Sequence, residues 1–209
     1  MIYEVRQYTL KGGSVAKFEE AFAKAYEVRK KYSPLAGLWH TEIGPLNQVV
    51  HIWPYESLAH RQEVRAKATA DPSGAWPPHG VSDLEMEQQS DIMMPAPFMR
   101  PLTGEHQHLG GIYEMRTYTY QPGSIPKVID LWSKAVPHLE QFSPLVACLY
   151  SELGGLNKWV HIWPYADFAE RARVREEASK GGQWPAPTSQ WIYKQENKIL
   201  IPASCSPLH

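Results

Sequence analysis

The chain has 209 residues, and its 21 Lys and Arg against 22 Asp and Glu leave a formal net charge of -1, so its electrostatics give no reason to expect nucleic acid or an anionic membrane surface as a partner. No stretch approaches the ~18 consecutive apolar residues of a membrane-spanning helix, and the N-terminus lacks the basic region and apolar core of a targeting segment. The two cysteines, Cys148 and Cys205, are too few and too differently placed for a disulfide framework or a thiolate metal site; a cytoplasmic protein without metal or cofactor is the expectation.

In chain order, residues 2–9 (Ile-Tyr-Glu-Val-Arg-Gln-Tyr-Thr) alternate and are rich in strand formers, and Lys11-Gly12-Gly13 ends the strand. Ser14 is placed to cap a helix whose Val15, Phe18, Phe22, Ala25 and Tyr26 fall at helical spacing and which runs to about Tyr32, where Ser33-Pro34 stops it. Leu35 to Ile43 is extended, a Gly44-Pro45-Leu46-Asn47 turn follows, and Gln48 to Trp53 completes a hairpin. A second helix over about Glu56 to Ala70, a loop containing Trp76-Pro77-Pro78, and a last strand from Ser82 to Met94 close the first half. Residues 96–111, rich in Pro, Gly and His, read as a linker.

The chain then repeats itself. Ile112-Tyr113-Glu114-Met115-Arg116-Thr117-Tyr118-Thr119 restates the opening strand, and His51-Ile52-Trp53-Pro54-Tyr55 returns unchanged as His161-Ile162-Trp163-Pro164-Tyr165. Roughly four positions in ten agree at a constant offset of about 110 residues through the first ~70 of each half, which marks a duplicated module. The copy reads as strands and helices over 111–120, 124–142, 145–153, 158–163, 167–180 and 190–201. Pro137 falls inside its first helix and is expected to kink or break it.

Two modules, 1–95 and 112–209, thus share the order β-α-β-β-α-β. That is the ferredoxin-like arrangement, with both helices on one face of an antiparallel sheet. Two bare faces in one chain can cover each other, so an α+β fold is expected in which the modules pack sheet to sheet as a pseudo-twofold α+β barrel with a cavity between the sheets.

Strand alternation suggests which side chains line that cavity. If Val50 and Ile52 meet the helices, His51 and Trp53 face inward, and the matching choice elsewhere puts Glu4, Arg6, Tyr8, Leu38, His40 and Glu42 beside them. The second module contributes Glu114, Arg116, Tyr118, Tyr150, Glu152, His161 and Trp163. On a functional reading His51 and His161 are acid–base candidates, since an ordinary imidazole titrates near neutrality. Arg6 and Arg116 hold an anionic or carbonyl oxygen, and Trp53 and Trp163 form apolar walls. The same residues could instead be a satisfied polar network that locks the two sheets together, and a twofold repeat does not discriminate.

Other signals are weaker. Arg61 and Arg65, matched by Arg171 and Arg175, could clamp an anion, though a solvated helix face is the commoner reason for such a pair. Trp76-Pro77-Pro78 and Trp184-Pro185 could be lids or pins for Pro-rich loops. His106 and His108 have no metal-ligand spacing. Glycine-rich phosphate loops, nucleophile elbows and metalloprotease helices are not found.

The opening Ile-Tyr-Glu-Val-Arg-Gln-Tyr-Thr-Leu with its following Gly-Ser-Val-Ala-Lys-Phe, and the His-Ile-Trp-Pro-Tyr strand before an Arg-bearing helix, resemble the NIPSNAP family from Tyr3 to about Met94 and from Tyr113 to about Ile201. The resemblance implies the dimeric α+β barrel fold, agreeing with the barrel expected from element order, and it carries no agreed catalytic residues. The wider barrel superfamily includes cofactor-free oxygenases and isomerases that bind apolar or aromatic molecules. Two functions stay open: a small-molecule site in the cavity, catalytic or not, and a non-catalytic binding or assembly module acting through protein partners. Homo-oligomers of the fused pseudo-dimer are compatible with either.

Overall fold

Turn chemistry and helix stops cut the chain into eight strands and four helices in the computed structural model, which describes residues 1–209. The first module holds β1 (Ile2–Leu10), α1 (Val15–Arg29), β2 (Gly37–Ile43), β3 (Gln48–Tyr55), α2 (Leu58–Thr69) and β4 (Glu85–Pro95). The second holds β5 (Ile112–Tyr120), α3 (Ile125–Leu139), β6 (Ala147–Leu153), β7 (Lys158–Tyr165), α4 (Phe168–Ser179) and β8 (Ile192–Pro202). Both hairpins turn through an asparagine in the left-handed region, Asn47 at φ 54° and Asn157 at φ 58°, a conformation its short polar side chain tolerates. No helix is long and apolar enough to cross a membrane.

Helix ends follow local chemistry, with two departures from expectation. Ser57 and Asp167 cap α2 and α4, accepting from the backbone N–H of His60 at 3.1 Å and of Glu170 at 2.8 Å, as N-caps should. Ser14 does not cap α1 with its side chain; its hydroxyl donates back to the Lys11 carbonyl at 2.6 Å and braces the preceding turn. Nor does Pro137 break α3, which runs unbroken over the same 15 residues as α1. The helix ends two residues after the proline, so the lost hydrogen bond falls in its last turn, where little helix remains to disrupt.

The two sheets do more than stack. β8 pairs with β2 and β4 pairs with β6, so the strands run β1-β3-β2-β8-β5-β7-β6-β4 and close on β1. Closure removes every sheet edge. The barrel interior is built from Tyr3, Val5, Trp39, Val50, Ile52, Met93, Tyr113, Met115, Leu149, Val160, Ile162 and Leu200. Linker residues Met99 and Leu102 and the tail residue Leu208 complete that core at one end, where the Leu102 N–H donates to the Tyr3 hydroxyl at 3.1 Å.

The expected face assignment is therefore reversed. Tyr3, Val5, Val50, Ile52 and Trp39 point into the barrel, while Leu38, His51 and Trp53 lie with Phe18 and Phe22 under the helices. Glu4, Arg6, Tyr8 and their counterparts Glu114, Arg116, Tyr118, His161 and Trp163 share that outer side. Both faces of these strands are buried, one by the opposite wall and one by helices, so apolarity could not choose between them.

Inside the barrel the copies have diverged in a compensated way. Gly37 and Trp39 of β2 correspond to Ala147 and Leu149 of β6. A methyl on Gly37 would lie 2.0 Å from the Trp39 ring, so the larger ring is admitted by the missing Cβ. Gly37→Ala should therefore destabilise the fold by about 1–3 kcal/mol, seen as a lower urea midpoint with an unchanged m-value, and Gly37→Ala combined with Trp39→Leu should recover much of the loss.

Candidate functional site

Glu4 sits in the middle of β1 and is wholly buried. Its Oε1 accepts from Arg6 at 2.8 Å, Arg61 at 2.6 Å and the Ser90 hydroxyl at 2.8 Å, and Arg65 lies 3.7 Å from Oε2. Burial alone would raise the pKa of this carboxyl, but the Arg61 hydrogen bond, the Arg6 charge and Ser90 outweigh it and bring it down to about 2. One carboxylate thus organises three guanidiniums, two of them reaching down from α2. In the second module Glu114 takes Arg171 at 2.6 Å, Arg175 at 3.6 Å and Arg116 at 3.7 Å. Arg61 and Arg171 consequently do not lie on a purely solvated face; they tie their helices to the sheet.

Beside this cluster, His51 is buried and its Nδ1 accepts from the Trp53 indole N–H at 2.7 Å. That bond places the ring proton of the neutral imidazole on Nε2, which has no partner. Tyr8 and Phe22 meet the ring near edge-on, with centroids 4.9 and 5.4 Å away. Burial first, and the Arg6 charge second, push the His51 pKa down to about 3. His161 repeats the arrangement with Trp163 at 2.8 Å, and burial with Arg116 and Arg175 holds it well below the usual range. Burial disfavours the charged form of both rings, which counts against the acid–base role expected of them.

A cavity of about 270 Å³ opens between the outer face of β1 and β3, helix α1 and the Trp76-Pro77-Pro78 loop. Phe18, Phe22, Trp53, Trp76, Pro77, Pro78 and Val81 form apolar walls; Arg6, Arg29, Arg65, His51, Tyr8 and Glu85 supply the polar groups. Arg29 is the most unusual of them. It is 1% exposed, its Nη2 donates to the Tyr55 hydroxyl at 3.0 Å, and its guanidinium lies 4.6 Å from the Trp53 ring. Nη1 has no partner and no carboxylate lies within ion-pair distance. A buried cation without an anion is costly.

In the second module larger apolar side chains enter the equivalent space. Trp132 stands where Phe22 does, its ring 4.6 Å from His161 and 5.2 Å from Trp184. Leu139 replaces Arg29, and Ile192, paired with Tyr120 as Glu85 is with Leu10, replaces the carboxylate. Arg116, His161, Trp163 and Trp184 repeat Arg6, His51, Trp53 and Trp76, while Arg29, Phe22 and Glu85 are not repeated.

Of the residues expected at a site, Arg6, Tyr8, His51 and Trp53 come together at the cavity, with Glu4 behind them as the anchor of Arg6. His40 turns toward α1 and bonds Glu19 at 2.8 Å. Glu42 and Glu152 are exposed beside the hairpin turns and pair with nothing in the site. Tyr150 lies near-parallel to Trp159 at 6.5 Å and is packing. Arg29, Phe22 and Glu85 were not anticipated. Arg29 had a signal: it continues the Phe18, Phe22, Ala25 stripe of α1, a core position that the second copy fills with Leu139.

The titrations give a signed expectation. Between pH about 6.5 and about 3 the unfolded chain protonates His51 while the native chain does not, so stability is complete above that window and falls through it as pH drops, by about 1.4 kcal/mol per pH unit per such group. The Glu4 contribution is lost in the same direction, as pH falls from its unfolded value of 4.5 toward about 2. Urea unfolding measured from about pH 7 to about 4 should show this slope, reduced by about one proton in His51→Gln; a pH-independent midpoint would contradict the buried neutral imidazole.

The NIPSNAP family profile matches residues 3–100 and 113–207, one match for each module. Protein NipSnap homolog 3A of Homo sapiens is 32% identical over 216 residues, spanning 100% of this chain and 86% of that protein. The NipSnap homolog of Dictyostelium discoideum is 30% identical, spanning 96% and 87%. Among solved structures, a candidate monooxygenase from Lactobacillus acidophilus superposes with a TM-score of 0.69 over 97% of this chain and 94% of its own, at 12% identity, a likeness of fold. Matched in both halves by the family profile and along its whole length by these relatives, the chain belongs to the NIPSNAP family and carries two copies of its module in one closed barrel.

Proposed function

We propose that the first module binds a small organic anion with a flat apolar body in the cavity between its sheet and helix α1. The observation that carries this is Arg29, a buried guanidinium with an unpartnered N–H and no carboxylate, set among aromatic rings at the cavity wall. A ligand carboxylate or enolate oxygen would meet Arg29, Arg6 and the His51 Nε2–H, and its body would pack on Phe22, Trp53 and Trp76. Burial raises the pKa of Glu85, the carboxylate on the same wall. A site that stabilises negative charge on oxygen and keeps such a carboxylate nearby supports removal of a proton from an acidic carbon, as an isomerase or cofactor-free oxygenase requires.

The reading is tested by titrating aryl carboxylates, benzoate and salicylate among them, against the intrinsic fluorescence of a protein whose Trp53 and Trp76 border the cavity. Arg29→Leu, which installs the second module's residue, should weaken binding roughly tenfold or more while leaving stability unchanged or about 1–3 kcal/mol higher, because an uncompensated buried charge is gone. Phe22→Trp should block the cavity as Trp132 does. Binding indifferent to both substitutions, or a panel without any response, would rule the site out.

A further inference from the structure

The space inside the barrel is a different environment from the aromatic cavity outside it. At the end away from the linker, where Tyr3 and Trp39 no longer fill the interior, a cavity of about 710 Å³ is lined by polar residues of both modules with Val5, Met93, Met115 and Val160 among them. Asp91 of β4 is 4% exposed and accepts from Lys158 Nζ and from the Gln89 amide, both at 2.8 Å. The twofold relation places Lys198 opposite it. Asp91 pairs with Val5 of β1, and Lys198 with Met115 of β5.

Duplication would have left two like residues at these positions, and the chain carries an acid at one and a base at the other. Asp91 is already neutralised by Lys158. Lys198 donates to the side-chain carbonyls of Gln7 and, at 2.8 Å, Gln48, and no carboxylate lies within ion-pair distance. Burial and the Lys158 charge both oppose its ammonium form, with Glu196 favouring it. Three lysines and three carboxylates line the cavity; Lys194 and Glu196 pair with each other at 3.1 Å and are exposed, as is Glu87, so the buried part of the wall presents Lys158 and Lys198 against Asp91, and Gln7, Gln48, Thr9 and Thr117 around them offer both donors and acceptors.

We infer that this inner cavity is a second ligand site, taking a small hydrophilic organic anion, a carboxylate that also carries hydroxyl or keto oxygens, with Lys198 as the anchoring cation. Among the buried groups Lys198 is the cation left without a carboxylate, and an anion would meet it. The amide and hydroxyl walls favour a ligand rich in oxygen over an aromatic one, and the volume exceeds what an inorganic ion occupies. The site is independent of the sheet–helix cavity: it lies on the opposite face of the strands and shares no charged residue with it.

Methionine methyl NMR separates the two sites, because Met93 and Met115 line the inner cavity while Met1 and Met86 are exposed elsewhere. Malate is the probe, with inorganic phosphate and benzoate for comparison. Malate should shift the Met93 and Met115 signals saturably and leave Met1 and Met86 in place. Lys198→Gln, which keeps N–H donors for Gln7 and Gln48 but removes the charge, should weaken the response at least roughly tenfold, and Lys198→Met should do the same. Asp91→Asn, which frees Lys158, should tighten it. Unmoved Met93 and Met115 signals, an undiminished response in Lys198→Gln with native-like unfolding, or a response to phosphate or benzoate but not malate would each overturn the inference. A benzoate response at Trp53 and Trp76 alone concerns the outer site and leaves the inner one refuted if malate is silent.

Discussion

Closing eight strands into one barrel confines each strand between two buried environments, the interior on one side and a helix layer on the other. Because successive side chains alternate, the choice made by one residue fixes its neighbours. With Tyr3, Trp39 and Tyr113 filling the interior, the Trp39 and Tyr113 rings 5.6 Å apart, Glu4, Arg6, His51 and Trp53 must go to the helix side. There they meet α1 and α2, and every feature of the outer site follows from that placement.

Within the helix layer a single carboxylate does the organising. Glu4 draws Arg6 from its own strand and Arg61 and Arg65 from α2 onto one point, so that helix and sheet are held by charge-assisted bonds. The cluster keeps a positive surplus, and Arg29 adds to it from α1 without any carboxylate of its own. A fold seeking stability alone would place an apolar residue there, as the second module does with Leu139. On the function proposed above, the uncompensated charge is what a bound anion would neutralise.

The two copies keep one scaffold and differ in the side chains it carries. Gly37 and Trp39 of one copy correspond to Ala147 and Leu149 of the other, a small residue with a large one against two of middling size, and the linker end of the interior stays filled. On the helix side Trp132 stands in place of Phe22 and Ile192 in place of Glu85, and the Trp132 ring packs against His161. Inside the barrel, Asp91 and Lys198 have taken opposite signs and left a polar end that neither module could build alone. The Trp–His bond in each copy, 2.7 Å and 2.8 Å, survives both outcomes, which marks it as part of the scaffold that either use inherits.

Element order, element bounds to within a few residues, the duplication and the barrel were all legible in the chain, because alternation, helical spacing, Gly and Pro stops and a fixed repeat offset are local or periodic properties. Part of the site was legible too: Arg6, Tyr8, His51 and Trp53 fall together because one β-pair carries them, Arg6 opposite His51 and Glu4 opposite Trp53. Which face they take was not. A period of two says that His51 and Ile52 point oppositely and nothing about which is inside, and the usual arbiter, apolarity, is silent when both sides are dry. Nor could spacing along the chain show that Arg29, Trp76 and Glu85 converge on His51, or that Lys198 lies across the barrel from Asp91. Those contacts join residues far apart in sequence, and only the closure of the sheet and the docking of the helices bring them within reach.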